Sequence, residues 1–130
     1  MKFKIPFFIA EISANHCGDI NMAKKLIKCA KKNGADAVKL QTFTANTMTL
    51  KSSKKYFKIK KGLWKGFQLW DLYNKAHTPF KWHKELFKYS RSIGLEIFST
   101  PFDETAVDLL ESLNCKFYKI SSFEMNDLPL

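Results

Sequence analysis

A chain of 130 residues is long enough for one ordinary domain, and 45% hydrophobic with 15% aromatic residues excludes a disordered tail. No apolar run is long enough to span a bilayer. A net charge of +10 admits nucleic acid, an anionic membrane or small anionic substrates, yet Arg91 is the only arginine, which argues against a reader of base edges.

In chain order, MKFKIPFFIAEIS weakly resembles a secretory leader, but its apolar run is short, Glu11 interrupts it, and no small-residue cleavage site follows. FFIAEI (7–12) reads instead as a first strand. GDINMAKKLIKCAKKNG is a helix with Asp19 as its cap, Met22, Leu26 and Ala30 on one face, and Gly34 closing it. DAVKLQ (36–41) is a second strand. A long connection from Thr42 to about His77 contains a helical stretch near Gln68–Ala76. HTPFKWHKELFKYSRSIG is a helix with Thr78 as cap and Pro79 at the first helical position. Trp82, Leu86, Tyr89 and Ile93 share one of its faces, and Gly94 ends it. LEIFST (95–100) is a third strand. PFDETAVDLLESLN is a helix capped by Asp103, with Ala106, Leu110 and Leu113 on one side. KFYKISS (116–122) is a fourth strand, and EMNDLPL is expected to begin a further helix.

Strands alternating with helical crossovers imply a parallel sheet with helices outside. The pattern fits an open doubly wound sheet or a (β/α)8 TIM barrel. No G-x-G-x-x-G turn follows the first strand, which lowers the dinucleotide-binding option. A full barrel takes roughly 250 residues, so the expectation is the N-terminal half of a barrel, about four β/α units over 1–130. The cysteines, Cys17, Cys29 and Cys115, are odd in number and lack C-x-x-C spacing, which fits a reducing, cytoplasmic setting without a disulfide framework.

Lys39 is the awkward residue of the second strand, because lysine is rarely buried unless paired. Strand side chains alternate sides. Phe7, Ile9 and Glu11 share a side, as do Ala37, Lys39 and Gln41, and Phe117, Lys119 and Ser121. Each strand is apolar early and polar late. In parallel α/β folds the C-terminal strand ends form the active face, so Glu11, Lys39, Gln41, Thr100 and Lys119 are expected at one mouth. Two lysines with one carboxylate suit a phosphate or carboxylate ligand. The competing account is a Glu–Lys ion pair that merely satisfies two charges inside a barrel. His16, His77 and His83 lack metal-ligand spacing and read as structural, with His83 on a surface helix. No G-x-S-x-G elbow is present.

Between Lys51 and Lys65 lie seven lysines and no acid. Most are expected to be solvated. If the segment also funnels an acidic substrate, neutralising Lys54, Lys55, Lys58 and Lys60 raises its apparent KM at low salt. A KM unchanged across salt concentrations rejects the funnel.

IAEISANHCGD, GADAVKLQTF, FSTPFDETAVDLLE and YKISSFE together resemble the sialic-acid (nonulosonic acid) synthase family. GLWKGFQLWDLYNKAHTPFKWHKELF looks most like its pseudaminic branch. The resemblance implies a (β/α)8 barrel followed by an antifreeze-like domain. It implies condensation of phosphoenolpyruvate with an amino sugar and release of phosphate. In the pseudaminic branch the sugar is 2,4-diacetamido-2,4,6-trideoxy-altropyranose; the alternative is an N-acetylneuraminate or other sialic acid synthase. By resemblance, C3 of phosphoenolpyruvate attacks the aldehyde carbon of the open-chain sugar, polarised by Mn2+ or Mg2+.

Lys39 and Lys119 match lysines that hold phosphoenolpyruvate. Gln41, Thr100 and Ser122 match polar residues of the same pocket. Glu11 matches an acidic residue for proton handling or substrate orientation, and Glu124 another acidic position. Alternation favours Ser121 where the match favours Ser122. The family's two metal-ligating histidines lie on later strands, so this chain is expected to hold no metal ligand and to be inactive by itself. The complete enzyme is expected to be a homodimer without nucleic-acid or membrane partners. Readings of another class are an inactive truncated remnant or a lysine-rich nucleic-acid-binding domain.

Overall fold

The computed structural model describes residues 5–130. Three strands, β1 (Ile9–Glu11), β2 (Ala37–Thr42) and β3 (Glu96–Pro101), form one parallel sheet in the order β1-β2-β3. Glu11 lies opposite Lys39, Lys39 opposite Phe98, and Gln41 opposite Thr100. Residues in register on parallel strands point to the same side. Glu11, Lys39, Gln41, Phe98 and Thr100 therefore share one face of the sheet. Val38, Leu40, Thr42, Ile97 and Ser99 share the other.

The helices decide between the two folds that the sequence leaves open. α1 (Ile20–Lys32), α4 (Phe80–Ser92) and α5 (Glu104–Ser112) are the long elements of the crossovers, which also carry the shorter α2 (Ala45–Met48) and α3 (Leu69–Ala76). The buried core joins Ala23 and Ile27 of α1, Leu86 and Phe87 of α4 and Leu110 of α5 to Val38, Leu40 and Ile97. All three helices thus pack on one face of the sheet, each fully buried Leu or Ile contributing about 1.5–3 kcal/mol. A doubly wound sheet has helices on both faces. Helices outside and an inner face without helices are the arrangement of the N-terminal half of a (β/α)8 barrel. Among the described residues no helix is long and apolar enough to cross a membrane.

Local chemistry sets the helix ends. Asp19 accepts the Asn21 N–H at 2.8 Å, and Asp103 accepts the Ala106 N–H at 2.7 Å, so both expected caps are present. Gly34 and Gly94 follow α1 and α4 in the left-handed region, at φ +85° and +68°, where a Cβ is strained.

Several expectations are corrected. The first strand shortens to Ile9–Glu11, with Phe7 and Phe8 exposed. On α1 the buried residues are Ala23 and Ile27, whereas Met22 is exposed; the core-facing stripe lies one position along from the expected one. α4 begins at Phe80 with Pro79 as its cap. Thr78 instead turns its hydroxyl to the buried His16. His83 is not on a solvated face: it is fully buried.

KFYKISS is not a strand but makes one isolated parallel bridge, Ser99 to Tyr118, in which the Lys119 N–H donates to the Ser99 carbonyl at 3.3 Å. Pairing at a single point leaves most of its backbone without a ladder partner, and Phe117 and Ile120 stay about half exposed. After it, Ser122–Glu124 forms one 3-10 turn, and the expected helix over EMNDLPL is absent.

Candidate active site

Glu11, Lys39 and Thr100 meet at the C-terminal edge of the sheet. β1 ends at Glu11, the register places Lys39 directly beside it, and β3 brings Thr100 across from Gln41. The Lys39 ammonium forms an ion pair with Glu11 Oε2 and donates to Thr100 Oγ1 at 3.4 Å. The Glu11 Oε1 atom accepts the Ser13 N–H at 2.9 Å, and the Ile12 N–H donates to the Lys39 carbonyl at 3.0 Å. Both carboxylate oxygens are therefore engaged. The Lys39 side chain is 13% exposed and that of Glu11 40%. The cation is mostly sheltered and its counter-ion faces solvent, so the charge is held without being sealed off. A core strand carries a lysine here because Lys39, third of the six residues of β2, points to the face of the sheet away from the helix-packed core, where Glu11 ends β1 beside it.

Thr100 is buried and Gln41 half-buried beside it. Lys119 is exposed, and among the described residues it makes no ion pair. Ser121 is buried and Ser122 exposed. Glu124 is half-buried. One of its carboxylate oxygens, Oε2, is enclosed with no hydrogen-bond partner among the described residues. The structure thus brings Glu11, Lys39, Gln41 and Thr100 together and leaves Lys119, Ser122 and Glu124 on the neighbouring, barely paired segment.

A second polar system lies behind the sheet. Thr42 and Ser99, on the helix-facing side, meet His83 of α4. His83 Nδ1 lies 3.1 Å from the Pro79 carbonyl, which can only accept, so Nδ1 carries the proton. Nε2 then accepts from Thr42 Oγ1 at 2.8 Å, and Thr42 accepts from Ser99 Oγ at 2.6 Å. Burial pushes the His83 pKa down to about 4, against the backbone hydrogen bonds at Pro79 and Phe80 that raise it. A neutral imidazole thus ties β2, β3 and α4 at the level of Gln41 and Thr100. Sequence reasoning misses this system: Thr42 falls in the expected connection after the second strand, and no period shows which helical residue faces it. At the mouth, Asp103 accepts from Thr47 of α2 as well as from Thr105 and Ala106. Its burial raises the carboxyl pKa, but these hydrogen bonds outweigh it and hold the group below its usual range.

A sequence model of the NeuB family matches residues 26–130. The chain belongs to the NeuB family. The pseudaminic acid synthase of Helicobacter pylori is 52% identical over 125 residues, covering 96% of this chain and 37% of that protein. That of Campylobacter jejuni serotype O:2 is 49% identical over 121 residues, covering 93% and 35%. Among solved structures, the N-acetylneuraminic acid (sialic acid) synthetase of Leptospira borgpetersenii, in complex with citrate, superposes with a TM-score of 0.79 at 25% identity, over 97% of this chain and 39% of that one. This NeuB-family chain spans between a third and two-fifths of the length of the curated relatives it matches. The family match begins at Leu26, inside α1, and takes in Lys39, Gln41, Thr100, Lys119, Ser122 and Glu124. Glu11 lies outside it but within the cluster by geometry.

Proposed function

We propose that the chain is the N-terminal portion of a pseudaminic acid synthase, which condenses phosphoenolpyruvate with 2,4-diacetamido-2,4,6-trideoxy-altropyranose and releases phosphate. The observation that carries this reading is the Lys39 ammonium, held between Glu11 and Thr100 at the active edge of the sheet. The names of the two relatives at 52% and 49% identity support the choice of branch.

Phosphoenolpyruvate brings a phosphate and a carboxylate. Lys39 is positioned to bind one of them, and Lys119, on the adjoining segment, supplies the second cation. Gln41 and Thr100 add polar groups beside Lys39, and Ser122 and Glu124, on the adjoining segment, are the further polar positions of the family motifs. In the reaction C3 of phosphoenolpyruvate forms a bond to the aldehyde carbon of the open-chain sugar, and water adds at C2. The C2–O bond then breaks and phosphate leaves with its electron pair. A fixed ammonium stabilises the charge that builds on that phosphate, at little reorganisation cost. Glu11, steered by the Ser13 N–H, orients the acceptor or handles its proton.

Mn2+ or Mg2+ belongs to this reading, as a Lewis acid for the aldehyde. Among the described residues no three His, Cys, Asp or Glu side chains converge to hold it, so these residues do not fit the metal. The same reading carries a cytoplasmic homodimer and no nucleic-acid partner.

The test is phosphate release by the full polypeptide the gene encodes, given Mn2+, phosphoenolpyruvate and each sugar in turn. Release is expected to require both substrates, with kcat/KM at least about tenfold higher for the trideoxy diacetamido sugar than for a mono-N-acetylated hexosamine. Equal efficiency moves the reading to another sialic acid synthase. No release with any amino sugar rejects it.

A further inference from the structure

A cavity of about 510 Å3 opens at the β1–α1 loop that follows Glu11. Its size is that of a small-molecule site. Ser13, Asn15 and Cys17 of the β1–α1 loop form one wall, and Trp64, Leu72 and Lys75 form the other. The loop wall is anchored from within. His16 is fully buried; its Nδ1 accepts the Gly18 N–H at 3.1 Å, and its Nε2 lies 3.2 Å from Thr78 Oγ1. With Nδ1 accepting, Nε2 holds the proton and donates to the threonine. The ring also meets Trp82 of α4 edge-on, with centroids 5.4 Å apart. On the opposite wall, Leu72 and Lys75 are three residues apart on α3 and share a helical face.

Ser13 joins this cavity to the cluster, since it lines the one and donates its N–H to Glu11 in the other. Ser13 and Cys17 both adopt left-handed backbone, at φ +48° and +51°, a conformation that costs non-glycine residues of order 1 kcal/mol and recurs at ligand sites.

The walls are mainly apolar, with a single cation. The cavity has one ammonium, Lys75, on walls that are otherwise uncharged, and its apolar part is an indole, a leucine and two alanines. Such a site suits a neutral ligand with methyl groups and an amide: the apolar walls can bury the methyls, and Asn15 and Lys75 carry donors for an amide oxygen.

We propose that this cavity is the specificity subsite for the acetamido and methyl substituents of the acceptor sugar, with Leu72 and Trp64 packing the methyl groups. The proposal rests on the synthase reading above and deepens it. Its place beside Glu11 puts the sugar's substituents in the cavity and its reacting carbon near the anion held by Lys39.

The test is steady-state kinetics of the full polypeptide carrying Leu72→Asp or Trp64→Ala. Each is expected to raise KM for the diacetamido sugar about tenfold or more, with KM for phosphoenolpyruvate changed by less than about twofold. A sugar KM within about twofold of wild type in both variants overturns the subsite and leaves the synthase reading intact. A wild-type protein that releases no phosphate with any acetamido sugar overturns both. Should Leu72→Asp fail to fold by circular dichroism, Trp64→Ala decides on the same split, because Trp64 is already exposed. Cys17 supplies an independent readout. Saturating sugar is expected to slow its alkylation by iodoacetamide about fivefold or more, read peptide by peptide, while Cys29, exposed on α1 and outside the cavity, reacts as before. Equal rates at Cys17 with and without sugar overturn the subsite.

Discussion

Lys39→Ala in the full polypeptide is expected to raise KM for phosphoenolpyruvate about ten- to 150-fold. A hydrogen bond to a charged group contributes about 1.5–3 kcal/mol, and each 1.4 kcal/mol or so is a factor of ten. The lysine is suited to that role because it is held before any ligand arrives. Glu11 and Thr100 fix the ammonium from two sides, and its side chain is only 13% exposed, so little is reorganised when an anion binds. The fold is expected to survive, since Glu11 keeps the Ser13 N–H and its own side chain is 40% exposed. Lys39→Arg keeps the charge but replaces a compact ammonium by a planar fork, and should recover only part of the loss. Paired measurements of KM and kcat for phosphoenolpyruvate decide the matter. If Lys39→Ala leaves both near wild type, the lysine is only the partner of Glu11, and the ion pair is a way of satisfying two charges.

His83→Ala is expected to cost roughly 3–5 kcal/mol of stability. It removes a fully buried ring, and it leaves the Thr42 hydroxyl and the Pro79 carbonyl without the partner they share. That is a large part of the 5–15 kcal/mol typical of a whole domain. Chemical denaturation followed by tryptophan fluorescence measures it, and a loss below about 1 kcal/mol would mean that water replaces the imidazole freely. The same residue predicts a pH dependence. Its pKa falls from the ordinary 6.5 to about 4 because burial disfavours the charged ring. Between pH 6.5 and pH 4 the unfolded chain binds a proton here that the folded chain excludes. Stability therefore falls as pH drops through that window, by roughly 3 kcal/mol at about 1.4 kcal/mol per tenfold in proton concentration, and levels off below it. His16, also lowered by burial, adds in the same direction. Asp103, whose carboxyl lies below its usual range, loses its contribution only at lower pH. His83→Gln should reduce the slope of the upper part of the profile, leaving the contribution of His16, and leave the lower part alone.

Much of this protein is local, and the local part was legible. The caps at Asp19 and Asp103 depend on a carboxylate two or three residues from the N–H it accepts, and the glycines that follow α1 and α4 depend on backbone sterics alone. The polar ends of β1, β2 and β3 follow from a period of two, and parallel register then carries Glu11, Lys39, Gln41 and Thr100 to one edge. The motifs around Lys39, Asp103 and Lys119 carry the family resemblance, and all three lie within the stretch that matches the NeuB family.

What the tertiary structure decided was every question that depends on which distant residue faces which. Period alone could not say that α4 turns His83 inward, because the same helix offers Trp82 and His83 on adjoining stripes, and only the hydroxyls of Thr42 and Ser99 reward the histidine. Nor could it place helices on one face of the sheet rather than two; that needed the core that joins α1, α4 and α5 to Val38, Leu40 and Ile97. The segment 116–122 has a strand's alternation but gains only one bridge, because a strand is made by the neighbour it pairs with, not by its own pattern. The cavity between the β1–α1 loop and α3 exists only because the fold brings Ser13 within reach of Leu72, residues that no sequence period connects.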